Sequence, residues 1–231
     1  MLGVDGCRAG WVVATRVLAS GETRVTIADT FRSILDGAGA QAAAIVVDMP
    51  IGLCNVGVRA CETQARRLLG ARRASVFASP LRPMLALSDY RAANAFGKAS
   101  GRGLSKQAWM IAPKIREIDA AITPADQRRV FEGHPELAFS RLGGAPCANQ
   151  KRSQAGGAER RTILAAAGVG DPEGLTAALR TQFPLRRHFA EDDVLDACAL
   201  ALTAEALLTG AAWRLGDGTR DARGLLMEIC G

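Results

Sequence analysis

Ala43-Ala44-Ile45-Val46-Val47-Asp48 is an unbroken apolar run that ends in a carboxylate. Without polar alternation, such a run suits a strand covered on both faces, at the centre of a sheet flanked by helices. The segments before it supply neighbours for that strand. Leu2 to Asp5 reads as a short buried strand, Gly6 to Gly10 as a turn and Trp11 to Val17 as a second strand, so the chain opens with a hairpin. Gly21-Glu22 turns it into a third strand at Thr23 to Ala28. Thr30 then caps a helix to about Leu35, which Gly37-Ala38-Gly39 ends.

Downstream the pattern changes period. From Val58 to about Thr123 it is mostly helical, interrupted at Ser79-Pro80, Arg82-Pro83 and Gly97 to Gly103. Arg129 to Glu132 reads as one more strand, and Pro135 opens a helix through Leu142. Cys147 to Gly157 reads as a polar loop carrying Lys151 and Arg152, followed by helices at Arg160 to Ala167 and Glu173 to Gln182. Asp193 to Leu208 is almost wholly apolar after its first turn, which predicts a buried helix. A loop follows from Gly210, with a short strand at Leu225 to Ile229. These elements predict one α/β domain over 1–231, a mixed central sheet flanked by helices, with a helical insertion over about 59–125.

The composition sets outer limits. At 231 residues, 48% hydrophobic and 23% charged, the chain is neither disordered nor fibrous, and it can bury roughly 70% of its unfolded surface without a disulfide or metal staple. The apolar stretch Ala197 to Ala204 falls far short of the roughly 20 residues that span a bilayer. Asp5 stands where an export signal would have its apolar segment. Six cysteines without a CxxC pair are then expected as reduced thiols in a cytoplasm, and two histidines argue against a His-rich zinc site. With one Tyr, three Trp and seven Phe, stacking platforms for single strands are sparse. Residues 59–118 hold 12 Arg and Lys against three acids, while the net charge of the whole chain is only +6. A basic middle against an acidic remainder fits an anionic substrate led toward carboxylates, or equally a solvated Arg-rich surface.

Acids recur where apolar elements end. Asp5 closes the first strand, Asp48 the central one, and Glu132 the strand Val130-Phe131. Asp193 and Asp196, three apart, share one face of the last helix. Each also has an ordinary explanation. Asp5 fits a turn before Gly6, and Asp48 fits the Met49-Pro50-Ile51-Gly52 turn. Asp192 or Asp193 fits a helix cap, while Glu132, His134 and Glu136 fit solvated loop positions. If the acids meet in space, their oxygen-only chemistry suits Mg²⁺ or Mn²⁺ rather than zinc. Two such ions about 3.5–4 Å apart activate a water and stabilise the leaving oxygen in phosphodiester hydrolysis.

Several blocks, taken in order, resemble a known family. They are Gly3-Val4-Asp5-Gly6-Cys7-Arg8-Ala9-Gly10-Trp11, Asp48-Met49-Pro50-Ile51-Gly52, Arg73-Ala74-Ser75-Val76-Phe77 with Pro80, Gln107 with Lys114 to Asp119, Phe131-Glu132-Gly133-His134-Pro135-Glu136, and Asp192-Asp193-Val194-Leu195-Asp196-Ala197. The ordered set is similar to a family of predicted ribonuclease H-like nucleases, domain of unknown function 429. Its closing Asp-x-x-Asp-Ala helix also resembles that of RuvC-type junction resolvases.

The resemblance implies a ribonuclease H-like core, with Asp5, Asp48, Asp193 and Asp196 as catalytic ligands of two Mg²⁺ or Mn²⁺ ions. It implies Glu132 as a further catalytic or supporting acid, with His134 and Glu136 behind it. Arg72, Arg73, Lys114 and Arg116 are candidates for phosphate contacts. The expected activity is that of a hydrolase, a nuclease acting on DNA or RNA, and a junction-cutting enzyme would need two sites, as in a homodimer. Two alternatives stand beside it: a non-catalytic nucleic-acid-binding protein on the same fold, and an actin- or sugar-kinase-like phosphotransferase using the Asp5-Gly6 to Gly10 turn.

Overall fold

The computed structural model describes residues 1–231. Strand β1 (Leu2–Cys7) pairs antiparallel with β2 (Gly10–Arg16), and β2 with β3 (Thr23–Ala28). Helix α1 (Phe31–Asp36) leads to β4 (Ile45–Val47), which lies parallel to β1. Helices α2 (Ala60–Leu69), α3 (Tyr90–Ala99), α4 (Lys106–Met110) and α5 (Ala112–Ala121) make up the insertion, before β5 (Val130–Glu132) adds parallel to β4. Four more helices follow: α6 (Pro135–Gly143), α7 (Gln154–Ala166), α8 (Pro172–Gln182) and α9 (Glu191–Thr209). The chain ends in a small hairpin of β6 (Arg214–Leu215) and β7 (Ile229–Cys230). The main sheet runs β3-β2-β1-β4-β5, mixed and flanked by helices, which is the α/β architecture expected of a ribonuclease H-like core.

Side-chain alternation assigns each face of the sheet its helices. Val4, Trp11, Val13, Ile45, Val47 and Val130 pack with Phe31 and Ile34 of α1 and Ile115 and Ile118 of α5. Val12 and Ala14 point the other way, into a second core with Phe139, Leu164, Leu179 and Leu195 from α6 to α9. Both faces are covered, so β4 has no polar alternation.

Helix α9 lies directly on the sheet because β1 has a glycine beneath it. A Cβ on Gly3 would stand 2.0 Å from the Ala197 carbonyl oxygen and 2.2 Å from the Ala201 nitrogen. Only a residue without a side chain admits that approach.

Three elements differ from expectation, the first being β6, which forms where a loop is expected. Helix α7 starts at Gln154 rather than Arg160, because the Ser153 hydroxyl caps it by accepting from the Gly156 N–H at 3.0 Å. The glycines of its first turn hide the start; a Cβ on Gly156 would stand 1.9 Å from the Gln150 carbonyl oxygen. At the C-terminus, the strand expected over Leu225 to Ile229 is Ile229–Cys230 instead, and Leu225 is a buried core residue. No helix is long and apolar enough to cross a membrane.

Candidate functional site

Register brings the first two acids together. Val4 pairs with Val47 across the parallel strands, and the Asp48 N–H donates to the Val4 carbonyl at 2.9 Å, so Asp5 and Asp48 follow each other at the same sheet end. Asp5 shares the face of Gly3, the α9 face, and Asp48 shares that of Val46, which packs on Leu200 and Ala204 of α9. The close seat of α9 on Gly3 brings Asp193 and Asp196 to the same place. Asp5, Asp48 and Asp193 line a cleft of about 640 Å³, and Asp196 lies behind them, 1% exposed.

The ordinary roles of two acids hold as well. Asp5 accepts from the Gly6 N–H at 2.7 Å, and Asp193 accepts from the Ala190 N–H at 2.8 Å, which closes the first turn of α9. These bonds orient the carboxylates without removing them from the cleft.

Electrostatics shows how closely the acids stand. Burial, then the charges of Asp48, Asp196 and Asp193, hold the Asp5 carboxyl well above the usual range. Burial and Asp196 push Asp48 up to about 7, and burial does most to bring Asp193 to about 6. Asp196 is raised too, again by burial first.

The counter-charge comes from the loop before α7. The Lys151 ammonium lies 2.8 Å from Asp196 Oδ2 and 3.2 Å from Asp192 Oδ2. The other Asp196 oxygen, Oδ1, is buried and without a partner. No three of the His, Cys, Asp and Glu side chains are arranged to enclose a metal as they stand. The donor chemistry nevertheless fits a hard divalent cation. It offers oxygen donors only, an orphaned buried oxygen, and carboxyls that a cation would return to their charged form.

Glu132 lines the same cleft and its charge also raises Asp48, but its side chain leaves the sheet on the other face. It pairs with Val47, which pairs with Val4, so all three point to the face opposite Asp5 and Asp48. There both its oxygens are engaged: Arg59 holds it bidentately, with Nη1 at 3.0 Å from Oε1, and the Ile51 N–H donates to Oε2 at 2.7 Å. Glu136 is likewise buried between Arg160 and Arg72, the latter 3.3 Å away, and does not line the cleft. His134 does line it; burial pushes its imidazole down to about 4, so the ring is neutral.

Of the four cations expected to meet phosphate, Lys114 alone lines the cleft, donating to the Gly10 carbonyl at 2.5 Å above the Trp11 ring. Arg72 is spent on Glu136, and Arg73 is exposed outside the cleft. Arg116 donates to the Leu85 and Leu87 carbonyls and borders a separate groove. Arg8, Arg59, Lys151 and Arg152 also line the cleft, and of these Lys151 and Arg152 pair with the acids of α9. Nothing in the sequence marks Lys151 beyond its place in a polar, Gly-containing loop.

A family described as "Protein of unknown function (DUF429)" matches residues 3–220. No curated protein and no solved structure matches the chain.

Proposed function

The chain belongs to this DUF429 family, and on that premise we propose that it is a Mg²⁺- or Mn²⁺-dependent nuclease hydrolysing phosphodiester bonds. One observation carries the reading: Asp5, Asp48 and Asp193, from three separate parts of the chain, line one cleft with Asp196 buried behind them, and basic side chains line it too. Repulsive clusters of this kind are retained where a cation is to be held. Asp5, Asp48, Asp193 and Asp196 would hold the ions, which would supply an activated water and charge stabilisation for the leaving oxygen. The Gly6 and Ala190 N–H groups fix the directions of Asp5 and Asp193. Lys114, Arg8 and Arg152 draw the phosphate backbone into the cleft, and Lys114 is held in position by the Gly10 carbonyl.

The test is Mn²⁺ titration calorimetry on the wild type and on Asp5→Asn, Asp48→Asn and Asp193→Asn, followed by cleavage assays. Wild-type binding that each variant loses, together with Mn²⁺-dependent cleavage, supports the reading. Full activity in the variants would sink it. A second reading, nucleic-acid binding without cleavage, is favoured by the position of Lys151, whose ammonium already serves Asp196 and Asp192 as a counter-ion.

A further inference from the structure

We propose that the cleft takes an unpaired nucleic-acid strand rather than an intact duplex, with a base against the apolar part of its wall and the adjoining phosphate at the carboxylates. This rests on the nuclease reading above.

The wall has two chemistries. The sheet end and α9 contribute carboxylates. The insertion contributes Val76, Phe77, Met110, Ile111 and Pro113, alongside Lys114. Met110 is 79% exposed and adjoins Ile111 and Pro113 on this wall. Phe77 is anchored from behind by the small core of Leu81, Met84 and Leu104, so it offers a fixed surface.

A duplex has no use for that surface. Its base faces are stacked inside, and it shows proteins its phosphates and groove edges. An unpaired strand exposes a base face within one nucleotide of each phosphate, and base contact with such side chains is sequence-tolerant.

Size points the same way. A cleft of about 640 Å³ lies within the range of roughly 300–1,000 Å³ that encloses small ligands.

The strand also has a path onward. A second groove of about 770 Å³ shares Lys151, Arg152 and Asp192 with the cleft and continues past Ser153 and Arg161. Flanking nucleotides fit along it, with Arg152 exposed to meet their phosphates.

The experiment compares the binding of a labelled short oligothymidylate with that of the same strand annealed to oligoadenylate. Fluorescence anisotropy is read with Ca²⁺ present to offset the carboxylates, on wild type, Phe77→Ala and Met110→Ala. We expect the single strand to bind at least about tenfold tighter than the duplex, and each variant to weaken it roughly tenfold, the scale of one base contact. Duplex affinity and Mn²⁺ affinity should stay unchanged in both variants. Met110 is exposed, so its variant remains informative should Phe77→Ala unfold. Equal or tighter duplex binding, absent binding of either probe, or wild-type single-strand affinity in Met110→Ala overturns the proposal. Loss of the nuclease reading shows elsewhere, as failure of the wild type to bind Mn²⁺ or to cleave any substrate.

Discussion

The Lys151 ammonium and the Asp196 carboxylate, 2.8 Å apart, form the shortest of the ion pairs that tie the loop before α7 to the acids at the start of α9. The lysine is about one-third exposed while the aspartate is buried, so leaving the pair strands a buried carboxylate unless another cation takes the place of the ammonium. An entering divalent cation would compete with this ammonium for the same oxygens. Lys151→Met is therefore expected to lower the melting temperature without metal, through loss of about 1–3 kcal/mol at a buried carboxylate, yet to tighten Mn²⁺ binding. Calorimetry checks the second effect, and Lys151→Arg should retain wild-type affinity. Weaker Mn²⁺ binding in Lys151→Met would make the lysine a support of the site rather than a competitor.

The raised carboxyls make stability depend on pH in a stated direction. Asp48 goes from an ordinary 3.8 up to about 7, by burial and then Asp196, and Asp193 goes to about 6. An acid whose value is higher in the folded state favours folding while protonated. That contribution is complete below about pH 4 and is lost as pH rises through about 6 to 7. Metal-free wild type should therefore lose melting temperature relative to Asp48→Asn between about pH 5 and pH 8. Thermal scans of the two proteins run side by side remove the effects of other groups. A difference that stays constant with pH would show that Asp48 is not held protonated.

Glu132 tests the face assignment. Glu132→Gln leaves the buried Arg59 with only the longer contact to Glu62, 3.6 Å away, and should cost up to about 3 kcal/mol in chemical denaturation. Glu132 borders the cleft, but both its oxygens are already engaged by Arg59 and the Ile51 N–H, so the Mn²⁺ affinity of the folded variant should match wild type. Replacing the pair together, as Arg59→Met with Glu132→Leu, should recover much of the lost stability. Loss of Mn²⁺ binding in Glu132→Gln would return this acid to the metal group.

Gly3→Ala should damage both the fold and the site. The new Cβ meets backbone atoms of Ala197 and Ala201, which cannot rotate away. Overpacking of at least about 3 kcal/mol is expected, at the upper end for such insertions. If the variant folds, α9 must move outward, and Asp193 and Asp196 with it. Denaturant melts and Mn²⁺ calorimetry should then change together.

Much of this was legible in the residues. The apolar run to Asp48, the hairpin and the Thr30 cap predict their elements closely, because burial on both faces and capping leave local signatures. Thr23–Ala28 has the predicted limits, and α6, α8 and α9 fall within a residue or two. The start of helix α7 is not legible because its first turn carries Gly156 and Gly157, which read as loop. The basic stretch 59–118 was legible as a charge excess, but not as a set of partners. Arg59 is consumed by Glu132, Arg72 by Glu136, and Arg116 by backbone carbonyls.

By itself the sequence determined the class of fold, the order of its elements and which acids end which strands, since these depend on local pattern and composition. Only the tertiary structure decided which acids share a face. In a pleated strand one residue of register moves a side chain to the other side of the sheet. The pairing of Val4 with Val47 and of Val47 with Glu132 places Asp5 and Asp48 toward α9 and sends Glu132 away from them to Arg59. The counter-ion is a matter of tertiary placement too: Lys151 is 45 residues from Asp196 in the chain and reaches it only because α7 and α9 pack on the same face.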